Sequence, residues 1–200
     1  MLTEAIILIL AGSIVGILSG LLGIGGGLII VPVLTFVLVH FHQLAFDQSI
    51  LMAIGTSLAS IVFTGGMSSF YHTKRNNMNW STAVPYIPGV LLGSTIMAFV
   101  MPHLNITLIK HVFIAYTFLA AYEIFKAPII KSVVQLPSVF LANIYGFTIA
   151  SISTVIGIGG GTMFVPYFIY HKVKPRLAVG LSSSLGIFIG LGASFGFIKN

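Results

Sequence analysis

The chain has 200 residues, of which 57% are hydrophobic and 6% are charged, and its formal net charge is +6. A soluble domain carries about 25% charged residues, so this composition excludes a soluble protein and indicates a membrane protein with several spans. The basic residues lie in short stretches between apolar runs, without the interleaved aromatic residues of a nucleic-acid surface, so we expect no nucleic-acid partner.

Six apolar stretches are predicted to form helices in the lipid bilayer, because a spanning helix needs about 20 mostly apolar residues. In chain order they are residues 4–22 continuing to 40, 49–71, 82–101, 107–125, 138–156 continuing to 170, and 177–198. The first stretch lacks the basic start and cleavage site of a signal peptide, so we expect it to be retained. Asp47 is predicted to cap the start of the second stretch. The predicted fold class is all-α, a polytopic helical membrane protein.

The sequence Gly-Ile-Gly-Gly-Gly, followed by Val-Pro, occurs twice. It spans residues 23–27 with Pro32, and residues 157–161 with Pro166, an offset of 134 positions. Four glycines in five residues cost a helix about 1 kcal/mol each relative to alanine, and proline lacks a backbone donor. We therefore predict a structural break at each copy, formed by the glycines together with Pro32 and Pro166.

The duplication extends beyond the glycines, because the Ala-x-Gly-x-Ser stretch at residues 53–57 recurs at residues 178–182. We predict two homologous repeats with glycine-broken first helices: residues 1–130 with four segments, and residues 131–200 as a partial second repeat. Asn200 falls opposite Arg75, so about 55 residues equivalent to 76–130 lack a counterpart. We expect a fragment, a truncated reading frame, or a chain completed by a partner chain or a homo-oligomer.

The broken segments leave two topologies open. If each crosses the bilayer once, the lysines and arginines divide five against four between the two sides. If each turns back at the glycines and exits where it entered, the division becomes seven against two. Because basic residues concentrate on the cytoplasmic side, the second arrangement is favoured.

Unwound glycines free their backbone amides, and with the positive end of the following helix these amides form an anion cradle. We therefore predict a small anionic substrate held between the two repeats and moved by alternating access. The candidate substrate-binding residues are Gly23, Gly25, Gly26, Gly27 and Ser57 in the first repeat, and Gly157, Gly159, Gly160, Gly161 and Ser182 in the second. Two alternatives stay open: a non-transporting membrane scaffold whose glycines only pack helices, and a passive channel.

Other chemistries fit the sequence poorly. No lysine follows either glycine cluster, which excludes a P-loop, and the dinucleotide fingerprint also fails. Gly180-Leu-Ser182 resembles the nucleophile motif of intramembrane serine proteases, but no histidine base follows His171, so we expect no enzyme activity. The histidines lie near segment ends without metal-binding spacing, and cysteine is absent, so we expect no metal and no cofactor. Asn143 is predicted to make an interhelical hydrogen bond.

The motifs together resemble the sulfite exporter TauE/SafE family of membrane transporters. The resemblance rests on residues 16–27 with Val31-Pro32, residues 53–57, Tyr71 with Asn79-Trp80, and Pro88-Gly89, and on the second glycine motif with its Val-Pro. It implies a multi-pass transporter of the bacterial cytoplasmic (inner) membrane with about eight segments in two halves. It also implies a substrate such as sulfite or an organosulfonate, moved outward.

Overall fold

The computed structural model describes residues 2–22, 26–125 and 136–199, and all regular structure in these ranges is helical. The helices are α1 (Leu2–Leu22), α2 (Gly27–His42), α3 (Phe46–Lys74), α4 (Trp80–Ala83), α5 (Ile87–Val100), α6 (Ile106–Phe125), α7 (Val139–Ile156), α8 (Gly161–Tyr170) and α9 (Pro175–Ile198). Short 3-10 turns precede and follow α5. Four stretches, α3, α4–α5 with these turns, α7 and α9, are long and apolar enough to span a membrane. The predicted all-α membrane fold is confirmed.

The N-cap of α3 differs from the prediction. This helix begins at Phe46 with Ala45 at the N-cap and no capping side chain, so Asp47 lies within the first turn. The prediction that Asp47 caps α3 was wrong. In the first turn its negative carboxylate still interacts favourably with the positive end of the helix dipole.

The two prolines lie inside helices. Pro32 is the sixth residue of α2 and Pro166 is the sixth residue of α8, so the breaks end at the glycines. The prediction that the prolines form part of the break needs this correction. The fixed φ of proline suits a helix, and its missing amide removes only the hydrogen bond to the carbonyl four residues earlier.

Helices α3 and α9 cross antiparallel at the centre of the bundle. Gly180, near the start of α9, packs against His72 near the end of α3, and Gly190, further along α9, packs against Leu58 in the first half of α3. Leu58 and the α9 residue Ile189 are fully buried. The end of the bundle where α3 begins is called end A below, and the end where α3 finishes is called end B.

Helix α7 packs parallel to α5 through backbone contacts at glycine. A methyl group on Gly89 would overlap the carbonyl of Asn143, and one on Gly93 would overlap the carbonyl of Phe147. These pairs advance together along both helices, so α5 and α7 run in one direction. Because α5 follows the short connection after α3, both helices begin at end B.

Helix α8 returns to the end from which α7 came. The hydroxyls of Tyr86, just before α5, and Tyr167, on α8, lie 3.2 Å apart. The Tyr86 ring also meets the ring of Phe168 edge-on, with centroids 5.4 Å apart. The outer ends of α7 and α8 therefore both lie at end B.

Helices α1 and α2 form the corresponding pair at end A. Glu4, in the first turn of α1, lies 3.4 Å from the imidazole of His42, the last residue of α2. Both broken segments thus turn back and exit where they entered, which is the arrangement that the basic residues favour. In the described ranges, end B carries Lys74, Arg75, Lys172, Lys174 and Arg176, and end A carries Lys110 and Lys199.

Candidate functional site

The second glycine cluster forms an unwound turn between α7 and α8. Gly157 is left-handed, with φ 79°, a conformation that side chains disfavour. Its amide donates to the carbonyl of Ser153 at 2.9 Å, and the amide of Ile158 donates to the same carbonyl at 3.0 Å. These bonds close the carboxyl end of α7 in a glycine-dependent cap.

Two amides of this turn remain available. Gly160 is also left-handed, with φ 73°, and its carbonyl accepts the amide of Phe164 at 2.7 Å as α8 begins. Among the described residues, the amides of Gly159 and Gly160 have no acceptor. They lie beside Gly161 at the start of α8, where the first amides of a helix lack partners within the helix and the dipole is positive.

The turn touches both α2 and α3. The hydroxyl of Ser57, on α3, donates to the carbonyl of Gly157 at 2.8 Å, and Ser57 is fully buried. Gly27, the first residue of α2, packs so closely that a methyl group there would overlap the same carbonyl. The structure therefore brings the start of α2, the predicted serine and the second glycine turn together.

The first glycine cluster is described only in part. Gly26 is the N-cap of α2 with helical φ and ψ, and its carbonyl accepts the amide of Ile30 at 3.0 Å. Gly23 and Gly25 lie outside the described residues, so their proposed roles are not tested. What the structure shows of the first break is that α1 ends at Leu22 and α2 begins at Gly27.

Apolar side chains pack tightly around the second turn. A β-carbon on Gly159 would lie 2.7 Å from Ile61 Cγ2, and one on Gly160 would lie 2.8 Å from Ile189 Cδ1. Residues 157–160 are all buried. An anion can therefore reach these amides only if the side chains of Ile61 and Ile189 move away from the turn.

Ser182 occupies a different environment from Ser57. It is 2% exposed, and its hydroxyl has no hydrogen-bond partner in the described part of the chain. It lies one helical turn before Gly186, where a β-carbon would come within 2.8 Å of the Gly159 carbonyl oxygen. Gly186 was not among the predicted site residues, because nothing in its spacing indicates that it faces the turn.

Asn143 makes the interhelical bond that the sequence predicts. Its side-chain oxygen accepts the amide of Gly89 at 3.0 Å, and its side-chain nitrogen donates to Val139 O at 3.0 Å. The Tyr86–Tyr167 pair, which links α8 to the start of α5, was not predicted. Two tyrosines 81 positions apart in apolar segments give no sequence signal of contact.

A sequence profile described as sulfite exporter TauE/SafE matches residues 8–200. The chain belongs to this family. It is 33% identical over 205 residues to a "probable membrane transporter protein" of Haemophilus influenzae, a match that covers 99% of this chain and 75% of the relative. A protein of the same description from Methanocaldococcus jannaschii is 30% identical, with 88% of this chain and 66% of the relative covered. A third, from Bacillus subtilis, is 29% identical and is covered over 72% of its length.

No solved structure matches the chain significantly. The TauE/SafE family is one of membrane transporters, and with its apolar helices the chain is a multi-pass membrane protein. This membership is consistent with a protein that is not an enzyme. The chain spans about two thirds to three quarters of the length of these relatives, so the activity of a whole family member is carried over only as a proposal.

Proposed function

We propose that this TauE/SafE family member carries small anions across the membrane, with sulfite or an organosulfonate as the substrate. The observation that carries the proposal is the pair of amides at Gly159 and Gly160, which lack acceptors among the described residues at the start of α8. Oxyanions bind at such helix starts because several amides point at one charge. The matching amides of Gly23, Gly25, Gly26 and Gly27 are proposed to complete the site from the first repeat.

The two repeats are proposed to be inverted relative to each other. The support is a matched pair of contacts between α3 and α9. A β-carbon on Gly65 would lie 3.1 Å from the Ser183 carbonyl oxygen, and one on Gly190 would lie 2.7 Å from the Leu58 carbonyl oxygen. Residues 53–57 and their counterparts 178–182 are 125 positions apart. The same offset relates Gly65 to Gly190 and Leu58 to Ser183, so it converts the first contact into the second. Such an exchange is expected for two elements related by a two-fold axis.

The inversion agrees with the broken helices. α1 and α2 have their outer ends at end A, and α7 and α8 have theirs at end B. In transporters with inverted repeats, the substrate lies where the half-helices meet, and rocking of one repeat against the other changes the open side. The contact between Gly27 and Gly157 is such a meeting point.

The packing around the turn corresponds in this mechanism to an occluded state. Ile61 and Ile189 pack against Gly159 and Gly160, and the Ser57 hydroxyl donates to the Gly157 carbonyl. Rocking has to displace both isoleucines before the anion exchanges water for backbone donors. That exchange is necessary because an unpaired charge in an apolar interior is strongly disfavoured.

The distribution of basic residues supports an orientation with end B on the cytoplasmic side. We propose the bacterial cytoplasmic membrane as its location and export as the direction of transport. The description of the family as a sulfite exporter supports the direction. The substrate class follows from the same description, since amide donors by themselves select an oxyanion and no particular one. A partner chain or a homo-oligomer is proposed as well.

A second candidate function is a membrane scaffold in which the glycines only allow close packing. The observation that favours it is the dense apolar packing at the second turn, where Ile61 and Ile189 contact Gly159 and Gly160. The two functions differ in what the Gly159→Ala variant does. Loss of flux at normal abundance supports the anion site, whereas loss of abundance supports packing.

The test measures uptake of radiolabelled sulfite into proteoliposomes. Gly159 has no positive φ, so alanine is compatible with its backbone, and the added methyl narrows the space beside the free amide. We expect Gly159→Ala to lower uptake about tenfold or more, the loss that corresponds to one charge-assisted hydrogen bond. The matched control is Gly66→Ala on α3, where a β-carbon meets nothing within 4 Å, and we expect it to transport normally.

The double variant Gly159→Ala with Ile61→Ala separates the two roles. Ile61→Ala removes the atom that the new methyl would overlap, so packing is relieved while the methyl stays beside the amide. Uptake that remains low in the double variant supports the anion site. Full recovery of uptake, or normal uptake by Gly159→Ala alone, would overturn the assignment.

A further inference from the structure

An apolar groove opens at end A between α2, α3 and α6, and its lining residue Val31 also packs against Gly157 of the second glycine turn. Its volume is about 480 Å³, and its walls are almost entirely apolar side chains, among them Phe36, Ile50 and Phe113. Val31, which is 2% exposed, lines it, and Lys110, near the start of α6, lines it at the end A side, which is called its mouth below. The groove therefore combines an apolar interior with a basic group at one end.

The groove runs along the direction in which a lipid chain would lie. Phe46 and Lys110 are close to the starts of α3 and α6, at the level where the helices reach end A. Along α2 the lining extends from His40 to Val31. These two positions are nine residue steps apart, which corresponds to about 13 Å of helix. This length is comparable with much of one leaflet of the hydrocarbon core.

Lys110 is held at the mouth. Its ammonium lies 4.1 Å from the centroid of the Phe46 ring, a cation–π arrangement that fixes the charge over an apolar wall. It is the lysine of the lining, which also includes His40. A lysine at the end of a membrane helix normally extends to the headgroup layer, where its partners are lipid phosphates.

The walls favour a lipid over a small hydrophilic anion. Thr35 is the hydroxyl residue of the lining, and its hydroxyl donates within its own helix to the Val31 carbonyl at 2.8 Å. Away from Lys110 and His40 the lining offers no free polar side chain, so sulfite there would have to shed its hydration without replacement donors. An acyl chain has no hydration of polar groups to shed on entering such a groove.

We propose that this groove binds an anionic phospholipid, with one acyl chain between α2 and α6 and the headgroup phosphate at Lys110. A phosphatidylcholine headgroup places a second positive charge near Lys110, whereas phosphatidylglycerol keeps its net negative charge. The site therefore selects the anionic lipid. Its charged end at Lys110 uses α3 and α6 residues near end A and none of the glycines of the proposed anion site.

The test is retention of lipid by the purified protein, measured by native mass spectrometry. The protein in detergent is titrated with phosphatidylglycerol and with phosphatidylcholine of the same chain length. We expect a preference of about fivefold for phosphatidylglycerol, the factor that one lysine near an anionic surface supplies. We expect Lys110→Gln to abolish the preference. Lys199→Gln removes the other lysine described at end A, and we expect the preference to remain.

A second pair of variants tests the groove itself. Ile114 lines the groove, while Phe118, one turn further along α6, is 74% exposed and outside the lining. Ile114→Trp fills the groove and is expected to lower retention of both lipids, whereas Phe118→Trp is expected to retain them as the wild type does. Equal retention of the two lipids by the wild type, or an unchanged preference in Lys110→Gln, overturns the proposal. Displacement of lipid by a second copy of the chain, seen as a dimer without lipid, overturns it too.

Discussion

Helices α1 and α7, which correspond to each other in the predicted repeats, have different surroundings. Gly146 of α7 packs against α5, where a β-carbon would lie 2.7 Å from the Tyr86 carbonyl oxygen. Its equivalent in α1, Gly12, has nothing within 4 Å, and neither has Gly16. Ile9 and Ile17 of α1 are 67% and 64% exposed. A stripe of small residues thus permits close packing, but only a neighbouring helix turns it into a contact.

The comparison predicts the largest effect at Gly146. Gly146→Leu forces α5 and α7 apart and should lower the free energy of unfolding by about 3 kcal/mol. Gly12→Leu, the equivalent change in α1, should have little effect. The measurement is the temperature at which half of the monodisperse protein is lost in detergent, read by size-exclusion chromatography. Equal losses in the two variants would show that α1 is as closely packed as α7.

The paired glycines of the central crossing should give a smaller and graded effect. A β-carbon on Gly190 would lie 2.7 Å from the Leu58 carbonyl oxygen, and one on Gly65 would lie 3.1 Å from the Ser183 carbonyl oxygen. We expect Gly190→Ala to cost about 2 kcal/mol and Gly65→Ala less than about 1, since both variants also gain helix propensity. The same thermal assay ranks them. The reverse order would contradict a central crossing with these two distances.

The two equivalent serines should differ least. Ser57→Ala removes the hydroxyl that donates to the Gly157 carbonyl and should cost about 1 kcal/mol. Ser182→Ala should cost nothing measurable, because this hydroxyl has no partner among the described residues. Thermal stability of both variants is compared with that of the wild type. A cost at Ser182 equal to that at Ser57 would indicate that the Ser182 hydroxyl also has a hydrogen-bond partner. In the predicted repeats that partner would be Gly23, the counterpart of Gly157.

Much of the architecture follows from local signals. The apolar stretches are long enough to identify the membrane helices, and the clustered glycines locate the ends of α7 and α1, because no helix tolerates four glycines in five residues. The prolines were less informative. A proline suits either a break or the early part of a helix, and only the backbone shows that Pro32 and Pro166 lie in α2 and α8.

The candidate site was less predictable than the helices. Ser57 is one hydroxyl in a stripe with Ser60 and Thr64, and sequence periodicity cannot tell which of them faces the second turn. The structure assigns the contact to Ser57, while Ser60 and Thr64 donate to carbonyls of their own helix. The isoleucines that shield the turn were not predicted either, because an apolar residue in a membrane helix carries no sign of its neighbour.

The sequence by itself determined that this is a helical membrane protein with two glycine interruptions, since hydrophobic length and glycine content act within a few helical turns. Only the tertiary structure decided that Gly27 meets Gly157, that α2 and α8 return to opposite ends, and that Lys110 lines an apolar groove. Those relations join residues that are far apart in the chain. They depend on how whole helices pack, which no local stretch of sequence specifies.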